Sequence, residues 1–152
     1  MAAGFIINTA GASTLSAATA RTLLLVNSTA TNTEIVELGV SFDGVSSTGG
    51  MVRVELNSVT GATTGAATVQ TPVQSRGWPS IASLSTGRVN YTVEPATQTT
   101  LRDWLIPYNG TFVLQYPLGR EPTIQASTNF SYVLRVTAPS TVGCRAYIEI
   151  EE

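Results

Sequence analysis

The side chains able to do chemistry in this 152-residue chain are few, and none is histidine. Without histidine, Ser-His-Asp and Cys-His arrangements are impossible, and the commonest general base is absent. The single cysteine, Cys144, permits no intrachain disulfide. It falls on the apolar face of an alternating stretch, where a small core residue is the ordinary reading. A reactive thiol needs a cationic, accessible setting, and Arg145 beside it points to the other face. Zinc needs Cys or His ligands in numbers this chain lacks, and calcium needs several clustered oxygens. The nearest approach is Glu149, Glu151 and Glu152. Glu149 and Glu151 share one strand face and could meet a cation or a basic partner, but a solvated charged end explains them more simply. A glycosidase needs two carboxylates facing across a cleft. Asp43 and Asp103 sit at strand ends, where turn hydrogen bonding accounts for them. The expectation is a protein that is not an enzyme and carries no cofactor or metal.

The basic residues are all arginine, eight of them spread along the chain, and the net charge is −2. Nucleic-acid binding needs a basic patch that neutralises phosphates, so no nucleic-acid partner is expected. The absence of lysine fits a GC-rich coding genome. Charged residues make up only 12% of the chain, against about 25% in average globular proteins. A surface so poor in charge and rich in threonine hints at contact with neighbouring subunits. One charged pair stands out: Arg120-Glu121 lies between Pro117 and Pro122. It is either a self-satisfied surface pair or a subunit contact in which Arg120 reaches a neighbour's carboxylate. No segment reaches the roughly 20 apolar residues of a membrane span, and residues 1–20 lack the basic region of a secretion signal. Four Asn-x-Ser/Thr sequons, at Asn27, Asn90, Asn109 and Asn129, are expected by chance in so Ser- and Thr-rich a chain.

The elements that must carry these side chains are strands. Successive Cβ atoms of a strand point to opposite faces, so period two marks one. From Phe130 the residues alternate, with Phe130, Tyr132, Leu134 and Val136 on one face. After Ala138-Pro139-Ser140-Thr141, Cys144, Ala146, Ile148 and Ile150 alternate with Arg145, Tyr147, Glu149 and Glu151. A short turn between two such strands predicts an antiparallel hairpin. Residues 34–43, with Val36, Leu38, Val40 and Phe42 inward, and 51–56, with Val52, Val54 and Leu56 inward, predict a second hairpin of the same pattern, with Glu37 or Glu55 pairing with Arg53 across it. Asn109-Gly110 signals a third turn of hairpin type. Leu23-Leu24-Leu25-Val26 reads as a strand buried on both sides. Residues 57–74, rich in Thr, Gly and Ala, read as a flexible loop, and residues 81–84 as one helical turn.

About eight strands without a long amphipathic helix predict an all-β domain. The expected architecture is an antiparallel two-sheet sandwich, jelly-roll-like, over residues 21–152. Residues 1–20, with Phe5-Ile6-Ile7, form either an edge strand or an N-terminal arm that orders on a partner. Trp78, between Gly77 and Pro79, either caps the core or anchors an interface.

Three phrases carry a resemblance. Val40-Ser41-Phe42-Asp43-Gly44, Tyr116-Pro117-Leu118-Gly119-Arg120-Glu121-Pro122 and Arg145-Ala146-Tyr147-Ile148-Glu149-Ile150-Glu151-Glu152 resemble small all-β structural proteins of tailed bacteriophages. The resemblance spans residues 21–152 and implies a virion protein, foremost a capsid decoration (cement) protein on the outer surface of the head. It further implies a homotrimer bound to the major capsid protein. Candidate partner contacts are Phe5, Ile6, Ile7, Trp78, Arg120, Glu121, Arg145 and Tyr147. The rival readings are a tail or receptor-binding module that stacks carbohydrate on Trp78, Trp104 or Tyr108, a secreted adhesin or pilin-like subunit, and a lone enzyme domain.

Overall fold

A computed structural model describes residues 2–45, 50–61, 65–77 and 79–152. Among them the chain is all strand and loop, in two packed antiparallel sheets, as expected of a jelly-roll-like sandwich. The described residues form thirteen strands, against the eight or so expected. In chain order they are β1 (Gly4–Asn8), β2 (Ser13–Leu15), β3 (Ala20–Ser28), β4 (Thr33–Phe42), β5 (Met51–Thr60), β6 (Ala66–Gln70) and β7 (Val73–Arg76). There follow β8 (Ser85–Val93), β9 (Gln98–Pro107), β10 (Thr111–Gln115), β11 (Thr123–Ile124), β12 (Phe130–Thr137) and β13 (Val142–Glu151). The first sheet runs β10-β4-β13-β1-β7, with β11 also on β4 and β2 also on β13; the second runs β6-β8-β3-β12-β5-β9.

The three expected hairpins are not hairpins. β12 and β13 lie in opposite sheets, as do β4 and β5, and β9 and β10. Each pair is an arch, its two strands facing each other across the core instead of hydrogen-bonding side by side. The arches stack: β4 pairs with β10 and β13 in the first sheet, while β5 pairs with β9 and β12 in the second. Alternation was right about most inward side chains, since Leu38, Val54, Leu134 and Ile148 are all buried in one core, but a register shift opposite Glu149 and Ile150 puts Ile35 there in place of Val36. It carried no information about the lateral partner. The arch loops tie together at one end of the sandwich. Asp43 accepts from the Gly143 amide at 2.7 Å and donates its own amide to the Gly143 carbonyl at 3.1 Å. The Tyr108 hydroxyl donates to the Thr141 carbonyl, and the Phe42 amide to that of Gly110.

Residues 57–74 are mostly strand: β5 runs on to Thr60, and β6 is followed at once by β7. The part of that loop at residues 62–64 lies outside the described residues, as does the turn at 46–49. Residues 81–84 form no helix. At the N-terminus β1 is inserted between β13 and β7, so it is an internal strand. Arg53 pairs with Glu55 along its own strand at 3.2 Å and with Asp103 of β9 at 3.0 Å; Glu37 is engaged elsewhere.

The run 23–26 is buried on both sides, as expected, and the structure supplies the reason. A register shift opposite Leu134 and Arg135 turns both Leu23 and Leu24 into the main core. Leu25 faces out, where a strap covers it. β8 stops pairing with β3 at Val89 but pairs with β6 as far as Val93. Asn90, at φ 55°, turns the strand away. Tyr91 then packs on Leu25, Val59 and Val133, a small second core outside the second sheet. Glu94 accepts from the Thr22 amide at 2.8 Å and from its hydroxyl, and the Thr97 carbonyl accepts from the Thr60 amide. This strap links β8 and β9, which stand far apart in the sheet order.

Candidate functional site

The outer face of the first sheet is built in rows, because cross-strand partners lie side by side. One row is Ile6, Glu149, Glu37 and Gln115; the next is Asn8, Tyr147, Gly39 and Val113; the third is Arg145, Ser41 and Thr111. All of these but Gln115 line an open groove of about 790 Å³. Its floor is continuous sheet: β4 and β13 are paired on both sides, and β1 pairs with β7 as far as Ile6.

Glu37 and Glu149 are direct cross-strand neighbours, an unfavourable like-charge pair. The structure relieves it by turning them apart. Glu149 accepts from the Ser75 hydroxyl at 2.9 Å and stands 3.6 Å from Arg76. Arg76 also pairs with Glu151 at 3.0 Å. The basic partner anticipated for Glu149 and Glu151 is thus supplied within the chain, by β7. Glu37 accepts from the Tyr147 hydroxyl. Burial, reinforced by this bond, pushes the Tyr147 phenol up to about 12. The Tyr147 ring lies over Gly39, where a Cβ would overlap it. A glycine with an aromatic cover is a recurrent way to stabilise a bare sheet position.

Several groove donors have no protein partner among the described residues. Arg145 is exposed and makes no ion pair. Asn8 uses its Oδ1 to accept from the Ala10 amide at 2.8 Å, which leaves its amide hydrogens free. No group of three or more metal-binding side chains occurs among the described residues.

The candidate contact residues disperse. Arg145 and Tyr147 line the groove with Ile6, which is half-buried. Phe5 and Ile7 point the opposite way and are 1% and 0% exposed, so packing within the core accounts for both, and an arm role is corrected. Trp78 lies outside the described residues. Arg120 is exposed and Glu121 half-buried; they form no ion pair with each other. The tip of their loop exposes Leu118 almost completely, at 94%. Of the proposed stacking platforms, Trp104 is half-buried against Phe112, ring centroids 5.0 Å apart, and Tyr108 caps the arch end. Cys144 is buried, and burial pushes its thiol up to about 12. The groove was missed because no single strand contains it; only the register reveals the rows.

No family model matches the chain, and no curated protein matches its sequence. Among solved structures, a crystal structure of PirA aligns over 90% of this chain and 89% of its own, at 8% identity and a TM-score of 0.47. A chain of infectious bursal virus derived T=1 particles aligns over 99% of this chain at 10% identity and a TM-score of 0.28. This chain spans 40% of that chain's length. Similarity at this level carries no argument about function.

Proposed function

We propose that this chain is a non-enzymatic virion structural protein: a capsid decoration protein that binds the outside of a phage head as a homotrimer and contacts the major capsid protein. One observation supports this reading above the others. The two flanks of the sandwich differ. On one flank β6 leads directly into β7, which closes it. On the other, β9 pairs only with β5 and β10 only with β4 among the described residues, so both sheets present an open edge there. Open edges invite pairing with another chain. β9 guards its edge with Arg102, Asp103, a terminal Pro107 and a bulge at Leu101. β10, Thr-Phe-Val-Leu-Gln, has neither charge nor proline. Exposed Leu105 and Leu118 lie on β9 and on the loop that continues from β10. A flank with these properties suits an assembly role, with Arg120 at its rim.

Cryo-electron microscopy of the particle tests the reading directly. Density for the sandwich on the head lattice, with β9 and β10 against a neighbour, is the expected result. Absence from the head, or occupancy at the tail alone, overturns it. Light scattering on the purified protein checks the trimer, and Leu105→Glu with Leu118→Glu is expected to lower head occupancy without changing the fold.

A further inference from the structure

We infer that the groove on the outer face of the first sheet is a binding site for a neutral carbohydrate, with Tyr147 as its stacking platform. The site goes beyond the assembly role and meets the assembly flank only where Thr111 and Val113 of β10 form its border.

Four observations carry this. The first is the platform. Tyr147 rests one ring face on Gly39 and borders the groove with the rest. Its hydroxyl is tethered to Glu37, which fixes the ring orientation in advance. An aromatic face is electron-rich, and the axial C–H groups of a pyranose are its natural complement. The second is the surrounding set of polar side chains. The Asn8 amide, the Arg145 guanidinium and the hydroxyls of Ser41 and Thr111 converge on the groove, and none donates to another side chain among the described residues. The remaining Glu37 carboxylate oxygen supplies an acceptor. A polyhydroxylated ligand needs donors and acceptors arranged around an apolar face, and this groove has both.

The third is charge. Arg145 and Glu37 oppose each other in sign, and Glu149 is already engaged by Arg76 and Ser75. The groove therefore offers no net field for a phosphate, a uronic acid or a polyamine, which selects a neutral ligand. The fourth weighs against an extended peptide lying over the ring. Such peptides gain most of their affinity by adding a strand to a sheet edge. Beneath Tyr147, β4 and β13 are paired on both sides, so a ligand stacked there meets no free backbone group; the open edge of β10 lies at the border of the groove. At about 790 Å³ the groove is in the size range of small-ligand sites, which run from about 300 to 1,000 Å³.

The test uses the purified chain and a panel of neutral oligosaccharides (maltotriose, cellotriose, galactobiose and chitotriose), with glucuronic acid and sialyllactose as anionic controls. Binding is followed by amide chemical shifts and calorimetry. At least one neutral sugar is expected to bind and to shift the amides of Asn8, Ser41 and Tyr147. Tyr147→Leu keeps a cover over Gly39 but removes the aromatic face, and is expected to weaken binding about tenfold. Asn8→Ala, with the thermal midpoint unchanged, is expected to weaken it less. The inference is overturned if no neutral sugar shifts these amides, if the shifts map elsewhere, if the anionic controls bind more tightly, or if Tyr147→Leu binds as well as the native chain. No particle is involved, so failure here leaves the assembly role untouched, and failure of the assembly role leaves this site standing.

Discussion

Gly39 and Tyr147 are cross-strand partners, and the ring of the second occupies the space that a side chain on the first would need. The two residues are therefore one feature. Gly39→Ala is expected to displace the ring and to lower stability by about 1–3 kcal/mol, the usual effect of overpacking. In the double variant Gly39→Ala/Tyr147→Ala the clash is gone, so the losses will not add; the coupling expected is about 0.5–3 kcal/mol. Urea unfolding of the four proteins measures it, and additive losses would show that the ring does not rest on Gly39.

Tyr91 gives a prediction with an unexpected sign. Its ring fills the second core, but its hydroxyl is buried without a hydrogen-bond partner among the described residues. An unsatisfied buried polar group costs about 1–3 kcal/mol. Tyr91→Phe removes that cost and keeps the ring, so the variant is expected to melt at the same temperature or higher. Tyr91→Ala uncovers Leu25, Val59 and Val133, and is expected to lose about 3–5 kcal/mol. A clear loss in the Phe variant would mean that the hydroxyl is satisfied in solution.

Cys144 should be silent until the protein unfolds. It is buried on the core face of β13, and its raised pKa leaves almost no thiolate at neutral pH. Labelling with a thiol-reactive disulfide at pH 8 is expected to be negligible in the native state and complete in denaturant. Rapid native labelling would place the thiol at the surface.

Glu152 links stability to acid. Burial works against its charge, but the Ser83 hydroxyl and the Leu84 and Ser85 amides all donate to it, at 2.8–2.9 Å. Together they hold its carboxyl below the usual range. A depressed folded pKa contributes stability that is fully present above the unfolded value, about 4.3 for glutamate. That contribution is lost as pH falls through the lower folded value. Glu152→Gln is expected to be less stable at pH 7 and to show a flatter decline below about pH 4.3. Parallel pH profiles for the two proteins would contradict the linkage.

The sequence revealed faces well and neighbours poorly, and the arches show why. Leu38, Val54, Leu134 and Ile148 were assigned inward by alternation and are buried. Alternation follows from the pleat of a single strand, so it survives whatever the strand pairs with. The partner depends on whether a loop turns within a sheet or crosses between sheets, and Asn109-Gly110 or Ala138-Pro139 can serve either path. One clue was local. Ala138 is 0% exposed, as suits a crossing loop and not a hairpin tip. The groove was invisible for the same reason, since Glu37 and Glu149 meet only through the β4–β13 register. Arg145 and Tyr147 could be singled out from their outward positions on one strand, but not the company they keep.

The stacked arches also set a timetable. A hairpin strand meets its partner as soon as the turn has been made, whereas β4 must wait for Thr111 to Gln115, then for Thr123, then for Val142 to Glu151. β5 must wait for Gln98 and beyond. During synthesis, at about 5–20 residues per second, the apolar faces of both strands are made long before anything can pair beside them. Sheets built from such distant segments form late and slowly. The nascent chain thus passes through a long interval in which Ile35, Leu38, Val52 and Val54 are sticky and unshielded, until β13, made after the other twelve strands described, completes the first sheet.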